Sequence, residues 1–239
     1  MRRFFGNNFA LIFMLILVAR AVTRGTIFND PLGWLIDELL ILPGIIIGIT
    51  FHEFAHAFAA YKLGDKTPKA QGRVTLNPLA HIDPVGLIAL LFIGFGWGRP
   101  VMVNPYAFKH MRRDNLITDV AGIVTNFTLA FVFMGVMKLF LTATGAAAYS
   151  SVLHYTALVI VYIIWMNLVL MIFNLLPVPP LDGFGIVTEI FDLRGKPFYE
   201  KLYYAGTPIL IVLIILNVPS RVISPIIEFL YGFLEGIFF

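Results

Sequence analysis

The sequence predicts an all-α, polytopic membrane protein, with about six transmembrane helices and a small membrane-associated β-sheet or re-entrant hairpin. Three observations lead there. Of 239 residues, 59% are hydrophobic and only 13% charged, and the mean hydropathy is +0.87. A soluble domain carries about 25% charged residues, so too little polar side chain is present to cover a water-facing exterior. Several apolar stretches approach the roughly 20 residues that a spanning helix needs. Lysine and arginine also gather in alternate connections, the asymmetry that sets membrane orientation.

Taken in order, the spanning candidates are residues 4–22, 42–63, 116–141, 152–176, 202–218 and 222–239. The first follows Arg2 and Arg3 and could pass for a signal peptide. It lacks a clear small-x-small cleavage site and its apolar run is long, so the expectation is a retained anchor. Residues 87–97, "LIALLFIGFGW", are too short to cross. Gly94, Gly96 and Gly98, with Pro100 behind them, suggest a hairpin, whose irregular backbone is tolerated at membrane depth only where protein or a wet cavity shields it. On either side of that run, "GRVTLN" (72–77) and "GRPVMVN" (98–104) carry β-branched residues and turn-formers suited to a sheet edge. The whole of residues 1–239 reads as one transmembrane domain: an N-terminal anchor at 4–22, a core at about 42–192 and C-terminal helices within 202–239.

Charge gives the orientation. Lys62, Lys66, Lys69, Arg73, Arg99, Lys109, Arg112 and Arg113 fall in one connection, and Arg194, Lys196 and Lys201 in another, while residues 142–151 between them carry no charge. The N-terminus and the basic connections are therefore expected on the cytoplasmic side. The net charge of +3 is a matter of topology and gives no sign of a nucleic-acid partner. With no cysteine in the chain, disulfides and thiolate metal sites are excluded.

Inside this apolar chain, residues 49–64 read "ITFHEFAHAFAAYKLG". Ionisable side chains at membrane depth are costly and mark functional sites. His52-Glu53-Phe54-Ala55-His56 fits the H-E-x-x-H pattern: positions i and i+4 share a helix face, so both imidazoles can reach one zinc ion. Glu53, about 100° around the helix, can sit beside the metal as a general base without ligating it. Two buried histidines bonded to neighbouring helices are the plainer reading. It is costly here, because no basic residue between Pro43 and Tyr61 neutralises Glu53. Gly44, Gly48, Ala55 and Ala59 permit close approach of other helices. A third protein ligand is needed, and His81, Asp83, His110, His154 and Asp182 are the candidates. Asp114 suits a helix start, and Asp119 either does likewise or faces the site.

"HEFAH", "GRVTLNPLAHIDPVG" and "NLLPVPPLDG" together resemble the site-2 protease family of intramembrane zinc metalloproteases, in order, spacing and membrane context, from about residue 42 to residue 192. The likeness is to a minimal member, since no segment looks like a PDZ or CBS domain. The resemblance implies one Zn2+ per chain held by His52, His56 and Asp182, with Glu53 as catalytic base. It further implies catalytic helper roles for Asn174 and for Asn126, the latter matching a Gly-Pro-x-x-Asn motif in which this chain has Ile123 in place of the proline.

The expected activity is zinc-dependent hydrolysis of peptide bonds within or near transmembrane segments. Asn174 or Asn126 would donate a hydrogen bond to the developing oxyanion or orient the substrate strand. The partners implied are transmembrane protein substrates, such as a membrane-held anti-sigma factor, and the lipid bilayer. The expected location is a prokaryotic cell membrane, with the active site towards the cytoplasm. The alternative is a catalytically silent zinc protein that binds transmembrane partners; a metal transporter is disfavoured because the ionisable groups converge on one place.

Overall fold

The computed structural model describes residues 29–93, 96–145 and 150–239. The expected anchor at 4–22 lies outside them. The described residues form an all-helical structure whose elements follow the chain: α1 (Pro31–Lys62), α2 (Thr67–Ala70), α3 (Pro78–His81), α4 (Pro84–Ile93), a 3-10 turn (Pro105–Ala107), α5 (Met111–Thr144), α6 (Ser151–Leu175), α7 (Asp182–Phe191), α8 (Tyr199–Ile215) and α9 (Val218–Phe238).

Helix α1 begins well before residue 42, the start that hydropathy alone suggests. Asp30 accepts the Gly33 N–H (2.9 Å) as its cap, and Pro31 occupies the first turn, where its missing N–H has no helical partner to lose. Asp37 and Glu38 end the apolar run without ending the helix, since backbone hydrogen bonding does not depend on hydropathy. In α5, Asp114 Oδ2 reaches back to the His110 N–H at 2.9 Å, the helix-start role its sequence position suggested.

Among the described residues, three helices are long and apolar enough to cross a membrane: α1, α5 and α6. They pack against one another as the central bundle, with α7 lying on α5 and α9 against α5 and α6. Ile123, Met134, Ile164, Leu168, Ile227 and Leu234 are among the residues closing the core between α5, α6 and α9. The stretches 202–218 and 222–239 do not reach the spanning criterion. Helix α8 has 17 residues; α9 carries Arg221, Glu228 and Glu235 opposite a buried line of Ile223, Ile227 and Leu234, the pattern of a helix with one apolar face.

The expected β-sheet is not there. Among the described residues the pairing is one isolated antiparallel bridge, Ile82 with Gly98. Pro78, Pro84, Pro100 and Pro105 each lack an N–H that a ladder would need. Two of the donors that remain are taken by side chains: the Val101 N–H goes to Glu53 Oε2 (3.0 Å) and the Asn104 N–H to Asp65 Oδ2 (2.7 Å). Residues 72–77 instead form turns that lead into α3, with Asn77 Oδ1 accepting the Leu79 N–H at 3.1 Å. Of the run expected to form a hairpin, residues 94–95 lie outside the described residues. Helix α4 before them is about 15 Å long at 1.5 Å per residue, and Gly96 lies against Gly86 with no room for a Cβ on either.

Candidate metal centre

Helix α1 presents His52 and His56 on its buried side, at 6% and 8% exposure. Opposite them, residues 176–181, which contain a cis Pro179–Pro180 bond, lead to Asp182 at the first residue of α7. His52 Nε2 and His56 Nε2 are 3.0 Å apart, and Asp182 Oδ2 lies 3.1 Å from the former and 3.2 Å from the latter. Among the described residues these three make up the group able to hold a metal ion.

Their spacing fits zinc. Ligand atoms about 2.0–2.1 Å from a tetrahedral ion stand about 3.3–3.4 Å from one another, close to the triangle observed. Asp182 Oδ2 is buried and has no properly directed hydrogen bond despite its two imidazole neighbours, as expected of three lone pairs aimed at a shared centre.

The other nitrogen of each imidazole is taken. His56 Nδ1 donates to the Thr118 carbonyl of α5 at 2.7 Å. His52 Nδ1 meets Asn126 Oδ1 at 2.5 Å, while Asn126 Nδ2 donates to Gly48 O (3.2 Å) and Asn167 Oδ1 (2.8 Å). Because the Asn126 NH2 faces two acceptors, its oxygen must face His52, and the His52 proton sits on Nδ1. Both Nε2 atoms are thus left free to ligate, an outer-shell arrangement that fixes tautomer and ring direction. Helix α5 comes this close because residue 122 is glycine: a Cβ there would lie 2.5 Å from His56 Nε2 and 2.6 Å from His52 Cε1.

Glu53 turns to another side of α1, half-buried, with Oε2 accepting the Val101 N–H. Asn174 is half-buried near the end of α6, its Nδ2 donating back to Leu170 O at 3.0 Å. Asp119 packs its carboxylate against Gly185, one turn along α7 from Asp182. Of the other ligand candidates, His81 is buried with Nε2 bonded to Thr75 O (2.7 Å). Asp83 caps the start of α4 through the Val85 and Gly86 N–H groups, both at 2.9 Å. His110 precedes α5, and His154 stands by Tyr155 at the start of α6.

Sequence reasoning missed Asn167, fully buried in α6 behind Asn126, with Nδ2 donating to Ile163 O at 2.8 Å. A single amide within "VYIIWMNLVLMIF" was the available signal, because an isolated polar side chain in a membrane helix seeks an interhelical partner. The Thr118 carbonyl left no signal, since a backbone acceptor is the same in every residue.

Comparison with known proteins agrees with this geometry. The profile of Peptidase family M50 matches residues 40–217. The chain is 41% identical to "Putative zinc metalloprotease YwhC" of Bacillus subtilis over 190 residues, 77% of this chain and 84% of that protein. It is 27% identical to "Putative zinc metalloprotease Rip2" of Mycolicibacterium smegmatis over 210 residues, 85% and 77% of the two chains. It is 30% identical to "Putative zinc metalloprotease MJ0611" of Methanocaldococcus jannaschii over 181 residues, 74% and 86%. No solved structure matches the chain.

Proposed function

The chain belongs to Peptidase family M50, the site-2 protease family of zinc metalloproteases, and on that premise we propose that it is an intramembrane endopeptidase acting on transmembrane proteins. The observation that supports this most is the triangle of His52, His56 and Asp182, with ligand atoms 3.0–3.2 Å apart and Glu53 adjacent in sequence but directed elsewhere.

Zinc bound by those three residues would supply an acidified water and a polarised scissile carbonyl. Glu53 takes the proton of the attacking water on its carboxylate and returns it to the leaving amine. Asn126 holds the His52 proton on Nδ1, and with it the direction of the ring. Asn174, eight residues before Asp182, acts on the substrate side, donating to the oxyanion or orienting the strand, once its bond to its own helix is exchanged.

His56 and His52 stand six and ten residues before Lys62, the end of α1, or about 9 and 15 Å along the axis. Arg112 and Arg113 open the neighbouring α5, so the basic end of the bundle is also the end nearest the site. This supports a site that opens towards the cytoplasmic face of a prokaryotic cell membrane. The substrate is a membrane helix unwound into extended form, and a membrane-held regulator such as an anti-sigma factor is the class proposed.

The test is zinc content and cleavage of a model single-span substrate by purified wild type and Glu53→Gln, side by side. Cleavage by zinc-loaded wild type, with turnover at least about 100-fold lower in the variant and its zinc retained, is the expected result. Zinc in both proteins and fragments from neither, across a substrate panel, would sink the protease reading in favour of a silent binder.

A further inference from the structure

Asp65 is fully buried, three residues beyond the end of α1 at Lys62. A carboxylate removed from water this completely is costly unless its oxygens are bonded. Oδ1 accepts the Thr67 N–H at 2.9 Å, a local bond that starts α2. That bond leaves the second oxygen unexplained: Oδ2 accepts the Asn104 N–H at 2.7 Å, 39 residues along the chain. Bonds from backbone N–H groups to an ionised carboxylate are charge-assisted, and so among the stronger ones.

Asn104 closes an extended segment, residues 98–104, that is tied at two further points. The Arg99 N–H donates to His81 O at 2.6 Å, and the Val101 N–H donates to Glu53 Oε2 at 3.0 Å. Val101 thus sits between two anchors, one at His81 and one at Asp65. The three residues from Val101 to Asn104 reach about 10 Å at most, so fixing Asn104 limits where the Val101 N–H can travel. That N–H is the donor that holds one oxygen of Glu53 in place.

We propose that Asp65 is a positioning residue for Glu53, acting through residues 98–104 as a strap: Asp65 holds Asn104, Asn104 limits Val101, and Val101 orients the carboxylate. This rests on the reading of Glu53 as the catalytic base. Asp65 touches neither the ligands nor the substrate, and its effect belongs to turnover, not to metal binding. Misplacement of a catalytic group by about 1 Å can cost on the order of 100-fold, so a loosened strap is expected to cost about 10-fold.

The experiment uses the full chain as wild type, Asp65→Asn, Val101→Pro and the double variant. Asp65→Asn keeps an oxygen for one backbone donor and sets an NH2 group against the other. Val101→Pro removes the donor to Glu53 and leaves Asp65 untouched. Three measurements are made: amide hydrogen exchange over residues 98–104 and over α1, zinc per chain, and the kinetics (kcat and KM) on a model single-span substrate. In Asp65→Asn, exchange at both Val101 and Asn104 rises about 10-fold while α1 and zinc content are unchanged, and kcat falls about 10-fold with KM constant. Val101→Pro reproduces the kcat loss, and the double variant adds nothing to it.

A Val101 amide that stays protected in Asp65→Asn overturns the proposal. So do loss of zinc in that variant, or kcat losses that multiply in the double variant. Should Asp65→Asn fail to fold, an unchanged kcat in Val101→Pro overturns it alone. If wild type cleaves nothing, the protease reading fails separately, and the exchange data still decide whether Asp65 governs Val101.

Discussion

The two sides of α1 around the H-E-x-x-H turn are built from different materials. The histidine side is supported by the long helices: Asn126 and the Thr118 carbonyl of α5 hold the imidazoles, and Asn167 of α6 backs Asn126. The glutamate side faces the connection between α1 and α5, where a backbone N–H at Val101 holds Glu53. Side chains sealed between apolar helices are fixed by dry, mutually satisfied hydrogen bonds, which cost much to break in a low-dielectric interior. Glu53, by contrast, is half-buried, and one of its oxygens accepts the Val101 N–H. The His52–His56–Asp182 triangle and Glu53 therefore have separate supports, and substitutions should separate them.

The largest break is on the ligand side. Asp182→Ala removes the anion from the triangle, and zinc content and turnover should fall together to background, read by metal analysis and substrate cleavage. Glu53→Gln should lose turnover alone, so a variant of Glu53 that sheds zinc would erase the distinction between the two sides.

A middle-sized effect belongs to the support of the imidazoles. Asn126→Leu leaves His52 Nδ1 without its partner and strands Asn167 in the bundle. Zinc affinity should weaken by about 10–100-fold, the range for outer-shell partners, and unfolding should ease by about 1–3 kcal/mol for the unpaired polar groups. Titration against a competing chelator measures the first and a thermal melt the second. Unchanged zinc affinity would show that Asn126 does not orient His52.

The smallest effect is a control. Asp83→Ala removes the cap of α4, and should cost about 1 kcal/mol in the melt with zinc content and turnover intact. A loss of zinc there would mean that the connecting segment supports the metal as well, and the contrast between the two sides would not stand.

Much of this was legible in the chain before folding. Apolar run length located α1, α5 and α6, because burial in lipid selects for composition over about 20 residues, and that is a local property. The i, i+4 spacing of His52 and His56 put them on one face for the same reason: helix geometry is local. The ends of the spans were less legible. The start of α1 at Pro31 follows from a cap and a proline, not from hydropathy, and the amphipathic α9 resembles a span by length alone. The sheet expected at 72–77 and 98–104 failed because the fate of a backbone donor depends on what lies opposite. At Val101 and Asn104 a carboxylate lies opposite, not a strand.

Residue type and short spacing were enough for the family, the membrane setting and the two histidines and glutamate of the H-E-x-x-H turn. Helix packing was needed to pick out which of five candidates completes the triangle. It also decided that Asn126 faces His52, that Gly122 makes room for the imidazoles, and that Asp65 reaches Asn104. Each of those pairs lies between 39 and 130 residues apart. No local pattern encodes such contacts, because they depend on how separate helices pack.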